Sequence, residues 1–257
     1  LFLFLYGMRM LISVLAWFFM SSSTPYISKG LTNPDTRYSI EVNPNMSSSV
    51  PILRSKNGRK GIEFTYAIWM FVDNLKNTES VSGDNYSAVF NKGDMDYIDA
   101  NGLSRIAGPG LYISKNKNKL KIRMNVFDSD PLYNAAVEKT QTSLWNDIII
   151  NDIPLKKWFN VMIRCEGNML DVLINGMIVK RHKLTGVPRQ NYNKILLTPD
   201  APFSGYVSDL RYWNYSLGTN EIYSLISKGA NTKNLATEQS IDGTLPRYFA
   251  TSWFLKN

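Results

Sequence analysis

The chain has 257 residues, of which 44% are hydrophobic and 19% charged, a composition that excludes a disordered tail and supplies enough apolar surface for one large folded core. Lys and Arg outnumber Asp and Glu 29 to 21, so the surface favours anionic partners such as acidic lipid headgroups, phosphates or an acidic protein. A single cysteine, Cys165, excludes an intrachain disulfide, and a single histidine, His182, leaves a His-based metal site or a Ser-His-Asp triad poorly supplied.

Residues 1–20, LFLFLYGMRMLISVLAWFFM, are apolar apart from Gly7, Arg9 and Ser13 and have the length of a bilayer-spanning helix. A mid-span arginine costs about 3 kcal/mol on the insertion scale, whereas the Leu, Ile, Phe and Val residues return roughly 3 to 7 kcal/mol, so insertion wins. We therefore expect a single-pass membrane anchor whose apolar body includes Leu11, Ile12, Leu15, Trp17 and Phe18; the rival reading is a signal peptide with SSS near its cleavage point. Residues 21–60 are rich in Ser, Pro and Asn and carry only short extended runs, which predicts a linker or arm outside the core.

From Gly61 onward short β runs alternate with turn residues. GIEFTYAIWMFV places Ile62, Phe64, Tyr66, Ile68 and Met70 on one face and Glu63, Thr65, Ala67 and Trp69 on the other. GDMDYIDANG sets Asp94, Asp96 and Asp99 between glycines, which predicts a loop; it is a calcium candidate with oxygen ligands but without the Gly and terminal Glu of an EF-hand, and the alternative is a solvated acidic turn. KLKIRMNVF turns Leu120, Ile122, Met124 and Val126 inward and Lys119, Lys121, Arg123 and Asn125 outward. Together with Lys115 and Lys117 the outward residues form a basic strip, either a solvated, edge-protecting face or a docking surface for an acidic partner or membrane. It lacks the interleaved aromatics that a nucleic-acid surface wants.

In WFNVMIRCEGNMLDVLING, residues 158–176, Val161, Ile163 and Cys165 share one face, EGN turns the chain, and Leu170, Val172 and Ile174 line the core side of the next strand. Asn175-Gly176 is the strongest short hairpin signal, because both central residues of a type I′ turn need positive φ. Strands at this spacing with no intervening helices predict an antiparallel sandwich or jelly roll.

Three blocks in order resemble the laminin G-like (pentraxin-like) domains of the concanavalin A-like jelly rolls. Trp69 marks the early strand, Trp158, Gly167, Asn175 and Gly176 the central signature, and Gly205, Asp209 and Arg211 the late strand before a short helix. Glu166 stands where Asp is commoner, and Gly218 replaces the usual capping Ser, a change that helix N-caps accept. The resemblance covers residues 61–229. It implies an all-β antiparallel sandwich with one short C-terminal helix, preceded by the anchor (1–20) and arm (21–60) and followed by an extension (230–257) with no family counterpart.

That family contains glycosidases, lectins and protein-contact domains, so the fold leaves function open. Its retaining glycosidases carry two carboxylates on a Glu-x-Asp-x-(x)-Glu strand, because hydrolysis needs an acid and a nucleophile about 5 Å apart. No such strand occurs here, so we expect no enzyme and no catalytic residues, and calcium is the one cofactor candidate. The leading expectation is a membrane-anchored structural module that docks onto neighbouring proteins in a larger assembly, such as a minor capsid or membrane component of a large virus. Basic residues after the anchor favour the cytoplasmic side or a virion interior, against three Asn-x-Ser triplets at Asn45, Asn85 and Asn214. The alternative is a surface lectin that binds glycans through the loop aromatics Tyr86, Tyr97, Tyr112, Tyr133, Trp145, Tyr192 and Tyr215, and a glycosidase is the remote one.

Overall fold

Period-two alternation builds two antiparallel sheets whose inner faces share one core. The computed structural model describes residues 6–10, 23–46, 49–75, 84–127 and 145–233. The strands are β1 (Tyr26–Thr32), β2 (Tyr38–Ile40), β3 (Lys56–Gly58), β4 (Gly61–Leu75), β5 (Tyr86–Ile98), β6 (Ser104–Ser114), β7 (Lys119–Phe127), β8 (Trp145–Asn151), β9 (Trp158–Glu166), β10 (Met169–Ile174), β11 (Met177–Lys183), β12 (Val187–Pro188), β13 (Ile195–Leu197) and β14 (Phe203–Trp213), followed by the helix α1 (Thr219–Lys228). The first sheet runs β1-β14-β4-β9-β10-β11 with β3 paired to β4, and the second runs β12-β7-β6-β5-β13-β2 with β8 paired to β7.

The core follows the alternation. Phe64, Tyr66, Ile68 and Met70 of β4 and Val161, Ile163 and Cys165 of β9 pack against Leu120, Ile122, Met124 and Val126 of β7. Burial pushes the Cys165 thiol up to about 12, so at neutral pH it stays protonated and serves as a small hydrophobe. The β10–β11 turn has φ of 50° at Asn175 and 81° at Gly176, as a type I′ turn requires. Asn175 also accepts the Asn160 N–H through Oδ1 at 2.8 Å, which fastens the turn to β9. At Gly205, where φ is 146°, an added Cβ would lie 1.9 Å from the Phe71 carbonyl oxygen, so glycine is what lets β14 lie beside β4.

The segment expected to be an arm is part of the sandwich. β1 pairs with β14 from Tyr26↔Arg211 to Thr32↔Val207, β2 pairs with β13, and β3 pairs with β4. β2 and β3 are three residues each, and register shifts interrupt the period of β1, so the segment shows little alternation even though Ile27 and Thr32 are buried. Beyond α1 the chain returns along this edge: the Leu31 N–H donates to the Lys233 carbonyl at 2.9 Å, and Ser208 Oγ to the Asn231 carbonyl at 2.7 Å. The rest of the C-terminal extension lies outside the described residues. So does the expected anchor apart from residues 6–10, including Leu11, Ile12, Leu15, Trp17 and Phe18; among the described residues no helix is long and apolar enough to cross a membrane.

An ion triad braces the outer face of the first sheet. Asp171 on β10 is buried between Arg164, 2.7 Å away on β9, and Arg181, 2.6 Å away on β11, and Arg164 also donates to the Leu217 carbonyl at 3.0 Å, just before α1. The hydrogen bond from Arg181 is the largest influence on the Asp171 carboxyl; burial opposes it, and the hydrogen bond from Arg164 and the charges of both arginines bring the net shift below the usual carboxylate range. A depressed folded-state pKa contributes stability that is present above the unfolded value, about 3.9, and is lost as pH falls through the folded value. Asp171→Asn should therefore lower the urea midpoint at pH 7, and the gap to wild type should close toward pH 2; a gap of equal size at both pH values would remove the ionic account.

Candidate functional site

Sheet register brings an aromatic strip to the outer face of the first sheet. On β4, Trp69 lies opposite Asn160 of β9 and Ser208 of β14, and two residues on, Phe71 lies opposite Trp158 and Tyr206. The Phe71 ring lies tilted at 5.7 Å from that of Trp158 and 6.4 Å from that of Tyr206, one side-chain step of about 7 Å along the strand from Trp69. The other end of the face is covered by α1, whose Ile222 packs with Ala67, Met162, Leu173, Trp213 and Leu217. The Glu221 carboxylate caps the first turn by accepting the Gly218 N–H at 3.0 Å.

Between α1, β14 and β1 a cleft of about 360 Å³ remains, floored by Trp69, Asn160, Arg211 and Trp213. A bulge in β14 shapes it: Asp209 has φ of 47°, the register with β4 shifts between Ser208 and Arg211, and Asp209 Oδ1 accepts the Gly30 N–H at 2.7 Å. Leu210 and Tyr212 therefore stay in the core while Arg211 and Trp213 line the cleft. The Arg211 guanidinium is held 4.4 Å from the Tyr26 ring and 4.8 Å from the Trp213 ring, and donates to the Thr24 carbonyl at 3.1 Å and Thr24 Oγ1 at 3.1 Å. Asn160 is 0% exposed and donates through Nδ2 to the Ile68 carbonyl at 3.2 Å, but its Oδ1 is a buried acceptor with no hydrogen-bond partner among the described residues. Such an orphan costs about 1–3 kcal/mol, and Asn160 is among the residues that line the cleft. The two carboxylates at this site are already engaged, Asp209 with Gly30 and Glu221 with Gly218 and, at 2.7 Å, the Tyr215 hydroxyl.

The residues singled out as functional by sequence lie elsewhere. Outward on β7 does not mean solvated: Arg123 is 2% exposed, and Lys121 is buried with Nζ 4.2 Å from the Tyr86 ring. Arg123 makes a bidentate contact with Asp147, both bonds 2.7 Å, reaches Asp99 at 2.9 Å and the Ser104 carbonyl at 3.1 Å, and lies 4.6 Å from the Trp145 ring. Lys117 and Lys119 pair with Asp84, and Lys115 is half-buried. Three of the strip's five cations thus have counter-charges within the fold, Arg123 from β8 and the turn after β5, and Lys117 and Lys119 from Asp84 just before β5.

The three carboxylates of the calcium candidate are not brought together. Asp94 and Asp96 sit on β5 rather than in a loop, Asp94 Oδ1 accepts the Asp96 N–H at 2.9 Å, and Asp99 is spent on the Asn101 and Leu103 N–H groups and on Arg123. Among the described residues no three Asp, Glu, His or Cys side chains converge as metal ligands. Of the loop aromatics, Tyr86 and Tyr112 are buried against Ala88 and Leu103, Trp145 covers Arg123, Tyr215 bonds Glu221, and Tyr192 stands exposed. Tyr133 and the side chain of Tyr97 lie outside the described residues. Trp213 and Tyr26 carried no sequence flag, and Trp69 and Trp158 were flagged only as marks of the fold. Their signal was a large aromatic on the non-core face of a strand.

No protein family and no curated protein matches this chain. Solved structures do: the receptor binding domain of botulinum neurotoxin D is 12% identical over 80% of this chain and 43% of that one, with a TM-score of 0.50. A second structure, of the botulinum neurotoxin serotype D binding domain, is 14% identical over 80% of this chain and 42% of that one, also with a TM-score of 0.50. The chain spans less than half of each neighbour's length, and at such identity the likeness is one of fold.

Proposed function

We propose that the chain is a non-catalytic carbohydrate-binding domain of the laminin G-like type, with the cleft beside α1 as its primary subsite and the strip of Phe71, Trp158 and Tyr206 as its extension. The orphaned Asn160 Oδ1 beside two tryptophans carries this reading. A sugar ring offers an apolar C–H face to an indole and a hydroxyl donor to an amide oxygen, so one ligand answers both features. The engagement of Asp209 and Glu221 in structural hydrogen bonds favours binding over hydrolysis, which needs a free carboxylate pair. The neighbouring structures are binding domains of neurotoxins, which accords with a recognition role for the fold.

The test is a glycan array probed with the full chain and with Ser224→Trp. Ser224 is an exposed α1 residue that borders the cleft, so the new indole fills the subsite from the helix side without entering the core. The wild type should retain a restricted set of glycans, and Ser224→Trp should weaken that retention by about tenfold or more, equivalent to 1.4 kcal/mol. Silence of the wild type, or equal retention by the variant, would end the proposal.

A second reading, docking within an assembly, is favoured by β11. This edge strand exposes Met177 at 74% along with Ile178 and Val179, next to Lys180, Arg181 and Lys183, a surface that suits pairing with an extended acidic strand of a partner protein. The membrane-tethered role expected from the sequence goes with this reading, and a domain silent on the array would leave it standing.

A further inference from the structure

A second cavity, independent of the cleft beside α1, opens at one end of the sandwich where the segment between β2 and β3 folds back over β4. It has a volume of about 690 Å³ and is walled mainly by apolar groups, among them Val42, Ile52, Ile62, Phe127 and Pro188. Two polar groups in its lining are out of keeping with that wall. Lys92 on β5 is 4% exposed, and its ammonium is held by the Asn193 carbonyl and by Asn191 Oδ1 at 3.4 Å, with no carboxylate in ion-pair range among the described residues. Burial alone lowers its pKa to about 8, so the group remains mostly charged at neutral pH while lacking a counter-ion. Tyr66 is also 4% exposed, and its hydroxyl has no hydrogen-bond partner among the described residues, whereas that of the adjacent Tyr212 donates to the Leu53 carbonyl at 2.9 Å.

A buried cation without a counter-ion is unfavourable, and neutral amide oxygens solvate it only in part. The arrangement asks for an anion that brings its own apolar body: the head between Lys92 and Tyr66, the chain along the aliphatic wall. We infer that this end cavity binds an amphipathic monocarboxylate, such as a medium-chain fatty acid, through a Lys92–carboxylate ion pair assisted by the Tyr66 hydroxyl. Lys92 is the buried cation of the lining and Arg54 an exposed one, so the single desolvated charge is met by one carboxylate. The site is formed by the segment that the sequence presents as an arm, since Val42 and Ile52 close it on one side.

Dodecanoate and its methyl ester, which keeps the chain and removes the charge, would be titrated into the full chain by calorimetry below the micellar range. Dodecanoate should bind the wild type about tenfold or more tighter than the ester, the increment of a charge-assisted contact in a dry site. Lys92→Met should erase that preference while leaving the ester's affinity within about twofold, and Ile52→Trp, at the half-buried rim, should fill the cavity and weaken both by about tenfold. Should Lys92→Met fail to fold, the acid-to-ester ratio and Ile52→Trp still decide. Absence of dodecanoate binding, equal binding of acid and ester, or an Ile52→Trp protein that binds as the wild type does would overturn the inference.

Discussion

Arg123→Met should destabilise the domain by about 3 kcal/mol, at the lower end of what breaking a buried ion pair costs. Methionine fills much of the same volume, so the loss is not one of packing. What it leaves is electrostatic: Asp147 without its bidentate partner, Asp99 without its cation, and the Ser104 carbonyl without its donor. Asp147 and Asp99 keep partial access to water, with side chains 28% and 22% exposed, and that access holds the cost near 3 rather than 5 kcal/mol. Urea unfolding at pH 7 measures it. Were Arg123 part of a solvated basic strip, the change would stay within about 0.5 kcal/mol, so a result that small would sink the account. Adding Asp147→Asn to the variant should recover part of the loss, because the stranded carboxylate, not the vanished arginine, is the main penalty.

This contrast shows where sequence reasoning stopped. The alternation of β4, β7, β9 and β10 and the Asn175-Gly176 turn are local properties, and each appears in the structure as read. Which side of β7 faced away from the core was also legible. That this side is roofed over was not, because the roof comes from Asp99 beyond β5 and from Trp145 and Asp147 on β8, none of them adjacent in sequence to Arg123. β1 and β2 escaped for a related reason: register shifts break the alternation of β1, β2 has only three residues, and their partners, β14 and β13, lie far along the chain. The cleft was half legible. Trp69 stood on the outer face of its strand in the sequence, but a site needs Trp213, Asn160 and α1 beside it, and only the β14-β4-β9 order brings these together.

Trp213→Ala should strike both the fold and the cleft. The ring is buried in the cluster that seats α1 against Ala67, Met162 and Leu173, so truncation should cost about 4 kcal/mol, in the range for removing a large buried aromatic. It also removes one of two platforms from the cleft and one of two rings from Arg211, so glycan retention should vanish with it. Loss of binding in a destabilised variant is weak evidence by itself, and the comparison with Ser224→Trp supplies what is lacking. If the cleft is a ligand site built on the helix seat, Trp213→Ala lowers the urea midpoint and abolishes retention, whereas Ser224→Trp weakens retention by about tenfold or more with the midpoint unmoved. Amide exchange over residues 219–228 reads the same division, faster in the first variant and unchanged in the second. Retention that follows stability across both variants would mean that the outer face only holds the helix in place. Retention lost without stability would mean that the unpaired Asn160 oxygen and its two tryptophans are kept for a ligand.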